Sequence, residues 1–89
     1  MEKIKIEKPT EKQLKELNVE SWPVWEKEKS KFPWFYDEPE TCFILEGKAN
    51  VKTKEETVTF GAGDLVTFPA GLECEWEILE DIRKRYKMG

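Results

Sequence analysis

Gly61-Ala62-Gly63-Asp64-Leu65-Val66-Thr67-Phe68-Pro69-Ala70-Gly71-Leu72-Glu73-Cys74-Glu75-Trp76 is the stretch that decides the fold of this chain. Leu65 to Phe68 reads as a strand held between two breaks, Gly61-Ala62-Gly63-Asp64 before it and Pro69-Ala70-Gly71 after it. Glycine supplies backbone shapes that other residues disfavour, and proline presets φ at a turn. Asp64 is expected to cap the turn in which it sits. Beyond Gly71 the period is two: Glu73, Glu75 and Glu77 alternate with Cys74, Trp76 and Ile78. Alternation of carboxylates with apolar groups is the mark of an antiparallel strand with one face on a core and one in water.

The same period runs upstream. Glu40, Cys42 and Ile44 share one face of a strand, and Thr41, Phe43 and Leu45 the other. Glu46-Gly47-Lys48 interrupts it as a turn or bulge. Lys48 to Thr53 and Thr57 to Phe60 are further strands, joined by the polar connection Lys54-Glu55-Glu56. Short strands spaced roughly 8–12 residues apart point to an antiparallel sandwich or barrel. Near the amino terminus Lys3 to Glu7 alternates, with Ile4 and Ile6 on one face, as a short edge strand. Thr10-x-x-Gln13 has the spacing of a capping box and precedes Leu14 and Leu17, which predicts one helix from about Glu11 to Leu17, packed as a lid or flap. Between 19 and 39 three prolines exclude a long helix, and Trp22 and Trp25 read as core.

With 89 residues the chain is a single domain, 1–89. It carries 15 basic and 19 acidic side chains for a net charge of −4, which argues against a nucleic-acid partner. No apolar run is long enough to span a membrane, and Met1-Glu2-Lys3-Ile4-Lys5-Ile6 has no apolar leader core, so a cytoplasmic location is expected. Cys42 and Cys74 form no C-x-x-C pair and are expected to be reduced thiols. Charge rests on Glu and Lys, with Asn and Gln scarce, a bias shared with thermophile proteins. There is no His at all, which removes the usual general base and the commonest metal ligand.

Gly63, Pro69 and Gly71 stand where the second cupin motif has them, and Cys74 falls on its His position. Counting six residues back from Gly47 puts Glu40 on the metal-ligand Glu of the first motif, with Tyr36 and Trp34 on its H-x-H positions; its opening glycine is missing. Over residues 34–78 the chain resembles the cupin superfamily, and in particular small single-domain cupins of the ureidoglycine aminohydrolase type. Arg83-Lys84-Arg85-Tyr86 is similar to that group's ending. The resemblance implies an all-β fold, a small antiparallel jelly-roll barrel with one short amino-terminal helix and a cavity at one mouth.

In metal-binding cupins three His and one Glu converge on a divalent ion. Here the corresponding set would be Trp34, Tyr36, Glu40 and Cys74, with Cys42 beside Glu40, too few ligand types for a tight site. No metal and no cofactor are therefore expected. Trp34, Tyr36, Glu40, Cys42, Cys74 and Trp76 are the candidate ligand-binding residues. Aromatic walls suit a flat or sugar-like molecule, and Glu40 suits a donor or a cationic group. For Glu40 the alternative is a structural partner such as the Tyr36 hydroxyl or a Lys ammonium; for both cysteines it is a buried structural thiol. Arg83-Lys84-Arg85-Lys87 reads as a solvated tail or a partner for the Glu73/Glu75/Glu77 face. The expected function is a metal-free cupin that binds an unidentified small organic molecule. The alternatives are an enzyme, a hydrolase or isomerase with Glu40 as acid or base and Cys74 assisting, and an interaction protein without a ligand. A thin core with 11 aromatic residues also suggests a homodimer.

Overall fold

In the computed structural model, which describes residues 3–89, the chain order is β1 (Lys5–Glu7), α1 (Glu11–Leu17), a 3-10 turn (Val19–Ser21), β2 (Val24–Lys27), β3 (Ser30–Phe35), β4 (Glu40–Lys52), β5 (Thr57–Gly61), β6 (Leu65–Phe68) and β7 (Glu73–Met88). Met1 and Glu2, at the head of the stretch read for a leader, lie outside the described residues. Every pairing is antiparallel. No helix among the described residues is long and apolar enough to cross a membrane.

Two long strands organise the rest. β4 and β7 pair with each other along almost their whole length, from Glu40↔Met88 to Lys52↔Glu75. The first half of β4 also pairs with β6, and its second half with β5. The first half of β7 pairs with β3, and its second half with β2. Each long strand thus serves two sheets, β1-β6-β4-β7-β2 and β5-β4-β7-β3, folded on each other as in a jelly roll without complete closure.

The bend lies where Glu46-Gly47-Lys48 signals a break. The β4/β7 register slips between Ile44 and Ala49. Gly47 has φ 96°, a left-handed conformation, and a Cβ there would lie 2.7 Å from the Ile82 Cα. Glycine is required because the two long strands touch at their shared corner. The break is a bulge inside one continuous strand rather than the end of a strand.

Alternation sets the core. Cys42, Ile44, Ala49, Val51, Phe60, Val66, Phe68, Trp76, Ile78 and Ile82 are buried between the sheets. α1 has the expected capping box: the Thr10 hydroxyl accepts from the Gln13 amide, and the Gln13 side chain accepts from the Thr10 amide. No α1 residue is buried, and its Leu14 packs against a small outer cluster of Val19, Trp22 and Leu65 together with Phe43. The helix therefore sits outside the β4/β6 sheet and is not a flap over the interior.

The carboxyl-terminal basic run is not a solvated tail. β7 continues through it to Met88. Arg83 pairs with Glu26 at 3.1 Å, Lys84 with Glu40 at 2.7 Å, and Arg85 donates to the Glu20 and Trp22 carbonyls. The Glu73/Glu75/Glu77 face finds other partners: Lys31 approaches Glu75, and the Asn50 amide donates to Glu77. Asp64 caps its turn, accepting from the Gly61 amide at 2.9 Å and from the Lys8 ammonium at 2.8 Å.

Candidate functional site

A cavity of about 280 Å³ opens between the sheets, lined by Trp25, Phe32, Trp34, Tyr36, Glu40, Trp76, Lys84, Tyr86 and Met88. It is built by alternation. Even-numbered positions on either side of the exposed Glu80 face inward, which brings Trp76, Lys84, Tyr86 and Met88 to one wall. Across the β3/β7 pairing Phe32 lies opposite Trp76 and Trp34 opposite Cys74. Trp25 enters from β2, where it pairs with Lys84, and Glu40 from the first position of β4.

The walls are aromatic and mutually packed. Phe32 and Trp76 are near parallel at a centroid distance of 6.2 Å. Trp25 meets Trp76 edge-on at 6.4 Å, and Tyr36 stacks on Phe68 at 4.7 Å. Contacts of this kind add roughly 0.5–1.5 kcal/mol each beyond the area they bury, so the walls are held in place. The Trp76 indole N–H donates to the Tyr36 hydroxyl at 3.1 Å. Burial and the nearby Glu40 carboxylate push the Tyr36 phenol far above its ordinary range, so it stays protonated. Trp34 stands at the rim, 51% exposed.

At the base is one ion pair. The Lys84 ammonium donates to Glu40 Oε2 at 2.7 Å, with side chains only 7% and 9% exposed. The same ammonium lies 4.9 Å from the ring centroid of Trp25 and 4.9 Å from that of Trp76. Both faces are within cation–π range. Lys84 is thus held by a carboxylate and two indoles. Among the described residues Glu40 Oε1 has no hydrogen-bond partner, yet it is not a sealed, unsatisfied atom. Since Glu40 lines the cavity, this oxygen is the one left for a ligand's donor.

Of the six candidates drawn from the sequence, Trp34, Tyr36, Glu40 and Trp76 line this cavity; Cys42 and Cys74 do not. Cys42 is fully buried in the core, and burial pushes its thiol up to about 12. Cys74 is half-buried, donates to the Trp34 carbonyl at 3.6 Å, and is pushed up to about 11 by burial. Both are free thiols. The proposed pairing of Glu40 with Cys74 as catalytic groups is not brought together on this cavity. Trp25, Phe32, Lys84, Tyr86 and Met88 were missed. A signal for Lys84 existed: continuing the period of two from Trp76 through Ile78 and Ile82 puts it inward. Trp25 lines the cavity as well as packing against the core.

A divalent ion does not fit these residues. Among those described, no three His, Cys, Asp or Glu side chains cluster closely enough to hold one. Glu40 already faces a positive charge, since the Lys84 ammonium sits at 2.7 Å. Trp34 and Tyr36 offer an indole and a protonated phenol where imidazoles would be needed.

The family model of the EutQ-like cupin domain matches residues 14–86. The chain belongs to the EutQ-like cupin family. A DUF861 family protein of Thermotoga maritima is 56% identical, with TM-score 0.96 over 98% of this chain and 100% of its own. A Salmonella typhimurium chain described as ethanolamine utilization protein Q is 28% identical, with TM-score 0.67 over 73% of this chain and 53% of its own. The EutQ protein of Clostridium difficile, 18% identical with TM-score 0.68, shares the fold over 73% of this chain and 52% of its own. This cupin therefore spans about half the length of those two relatives. None of the curated proteins matches it. The narrower ureidoglycine aminohydrolase-type grouping is not among what these likenesses show.

Proposed function

We propose that this cupin is a metal-free binding module whose cavity takes a small organic molecule. The supporting observation is the Glu40–Lys84 pair at the base of an aromatic cavity of about 280 Å³. Ligand sites are mostly apolar with a few placed polar groups, and roughly 300 Å³ is their lower size limit. The ligand is accordingly small. Trp25, Phe32 and Trp34 supply flat contact area over the buried Trp76, and Glu40 supplies a carboxylate acceptor alongside the Tyr86 hydroxyl. The enzyme reading needs Glu40 and Cys74 on one substrate, and only Glu40 lines the cavity. The test is a ligand-observed NMR screen of small aromatic fragments against the parent and Trp34→Ala. Hits weakened by Trp34→Ala support the module. A library that is silent on the parent at millimolar concentration overturns it.

The proposal includes a cytoplasmic homodimer without a nucleic-acid partner. What supports the dimer is that three large apolar side chains at the ends of β3 and β7, Trp34, Phe35 and Met88, are 51%, 52% and 41% exposed and would gain from being covered. Light scattering that gives the monomer mass throughout the micromolar range would remove the dimer from the proposal.

A further inference from the structure

We infer that the cavity selects a neutral, flat ligand that donates a hydrogen bond, and that Lys84 is the residue that keeps organic cations out. This rests on the binding reading above and names its ligand class. Indole faces next to a carboxylate are the usual cage for an organic ammonium. In this protein the cage is already filled by the chain itself. Lys84 Nζ is 2.7 Å from Glu40 Oε2 and 4.9 Å from each of the Trp25 and Trp76 ring centroids. A second cation would have to sit beside that ammonium with little water to screen it, because the Lys84 and Glu40 side chains are 7% and 9% exposed.

Anions are disfavoured for a different reason. An ammonium has three protons. One goes to Glu40, and the indoles of Trp25 and Trp76 cover the sides of the group. An anion would also meet the Glu40 carboxylate, which lines the cavity and whose Oε1 has no hydrogen-bond partner among the described residues. That oxygen accepts and does not donate while the carboxylate is ionised. The complementary ligand therefore brings an N–H or O–H for Glu40, a flat body for the accessible rings of Trp25, Phe32 and Trp34, and no net charge. Amides, ureas and phenols have this chemistry.

Three probes of one shape separate the charge classes: benzamide, benzamidinium and benzoate, with tetramethylammonium as a cation that donates no hydrogen bond. Dissociation constants are read by ligand-observed NMR on the parent, on Lys84→Met and on Glu40→Gln/Lys84→Met. The parent is expected to bind benzamide at least about tenfold more tightly than either ion, tenfold being about 1.4 kcal/mol. Lys84→Met empties the cage and leaves Glu40, so benzamidinium and tetramethylammonium should each gain about tenfold or more. In the double variant that gain should disappear. If Lys84→Met is unfolded alone, the same cations should refold it by mass action, and failure to do so counts against the inference. Preference of the parent for benzamidinium or benzoate overturns the inference and leaves the binding reading intact. So does a parent that binds other fragments but not benzamide. A parent that binds no fragment of any kind removes the binding reading itself.

Discussion

Replacing Lys84 with Met should be among the most damaging single changes in the molecule. Lys84 and Glu40 are both buried, at 5% and 7% exposure, and meet at 2.7 Å. Methionine keeps the apolar stem but is one atom shorter, so the stem still packs while the ammonium's place between the Trp25 and Trp76 rings is vacated. What changes is that the Glu40 carboxylate stays in an aromatic cavity with no cation. Breaking a buried pair from one side costs about 3–5 kcal/mol, mostly through the charge left behind. In a domain of this size each kcal/mol moves Tm by roughly 4–8 °C, so the melting point should fall by roughly 12–40 °C. Glu40→Gln/Lys84→Met removes both charges and should recover most of the loss, to within about 2 kcal/mol of the parent, because uncharged replacements of a buried pair are often near neutral. The assay is urea denaturation followed by far-UV circular dichroism for the parent, both single variants and the double variant. The cycle should give a coupling energy of at least about 2 kcal/mol, favouring the pair. A Lys84→Met variant within 1 kcal/mol of the parent, or a double variant as unstable as the single one, would refute the reasoning. Either result would mean that Lys84 is solvated in solution and does not close the cavity floor.

Gly47→Ala should cost about 2–5 kcal/mol, because it adds left-handed strain to a clash with the β7 backbone at Ile82; equilibrium unfolding measures it, and a loss under 1 kcal/mol would mean that the corner is not tight. The thiols should titrate late. Burial lifts Cys42 from an ordinary 9.0 to about 12 and Cys74 to about 11, so the folded state holds protons that the unfolded chain has already lost. Their contribution to stability is full below pH 9.0 and is lost progressively as the pH rises toward 12. Cys42→Val should flatten that alkaline decline, and an unchanged slope would exclude Cys42 as its source. At pH 8, where an ordinary thiol is partly ionised, native protein should react slowly with a disulfide reagent, Cys74 ahead of Cys42, and fast labelling of Cys42 without unfolding would contradict its burial.

The strands could be read because one physical rule, alternation of side chains across a pleat, acts on residues that are next to one another. That rule placed Glu40, Cys42 and Ile44 on one face and found the break at Gly47. It could not show that β4 continues through the break, since a bulge and a turn carry the same glycine signal. The helix was legible because a capping box is a local pattern. Where it packs is not local: it depends on Phe43 and Leu65, far away in sequence, and the expected flap turned out to sit on the outside. Lys84 was misread because charge was given more weight than period. A lysine among Arg83, Arg85 and Lys87 resembles a solvated run until its partners are known, and those partners are Glu40 on β4, Trp25 on β2 and Trp76 eight residues back on β7 itself. Cys74 is a different case, packed against the core but off the cavity lining. Its motif position put it with the ligand residues, but its side chain turns toward the Trp34 carbonyl.

The four tryptophans make the most direct measurement possible. Trp25, Trp34 and Trp76 line the cavity, while Trp22 is buried in the separate outer cluster with Val19 and Leu65. In protein labelled with nitrogen-15, each indole N–H gives its own signal. Titration with a neutral fragment such as benzamide should move the Trp25, Trp34 and Trp76 signals together, along one saturation curve, and leave Trp22 in place. The same titration of Glu40→Gln should require a higher concentration to produce the same shifts. Shifts confined to Trp22, or four signals that stay still at saturating fragment, would contradict a ligand-binding cavity built on Glu40 and Lys84.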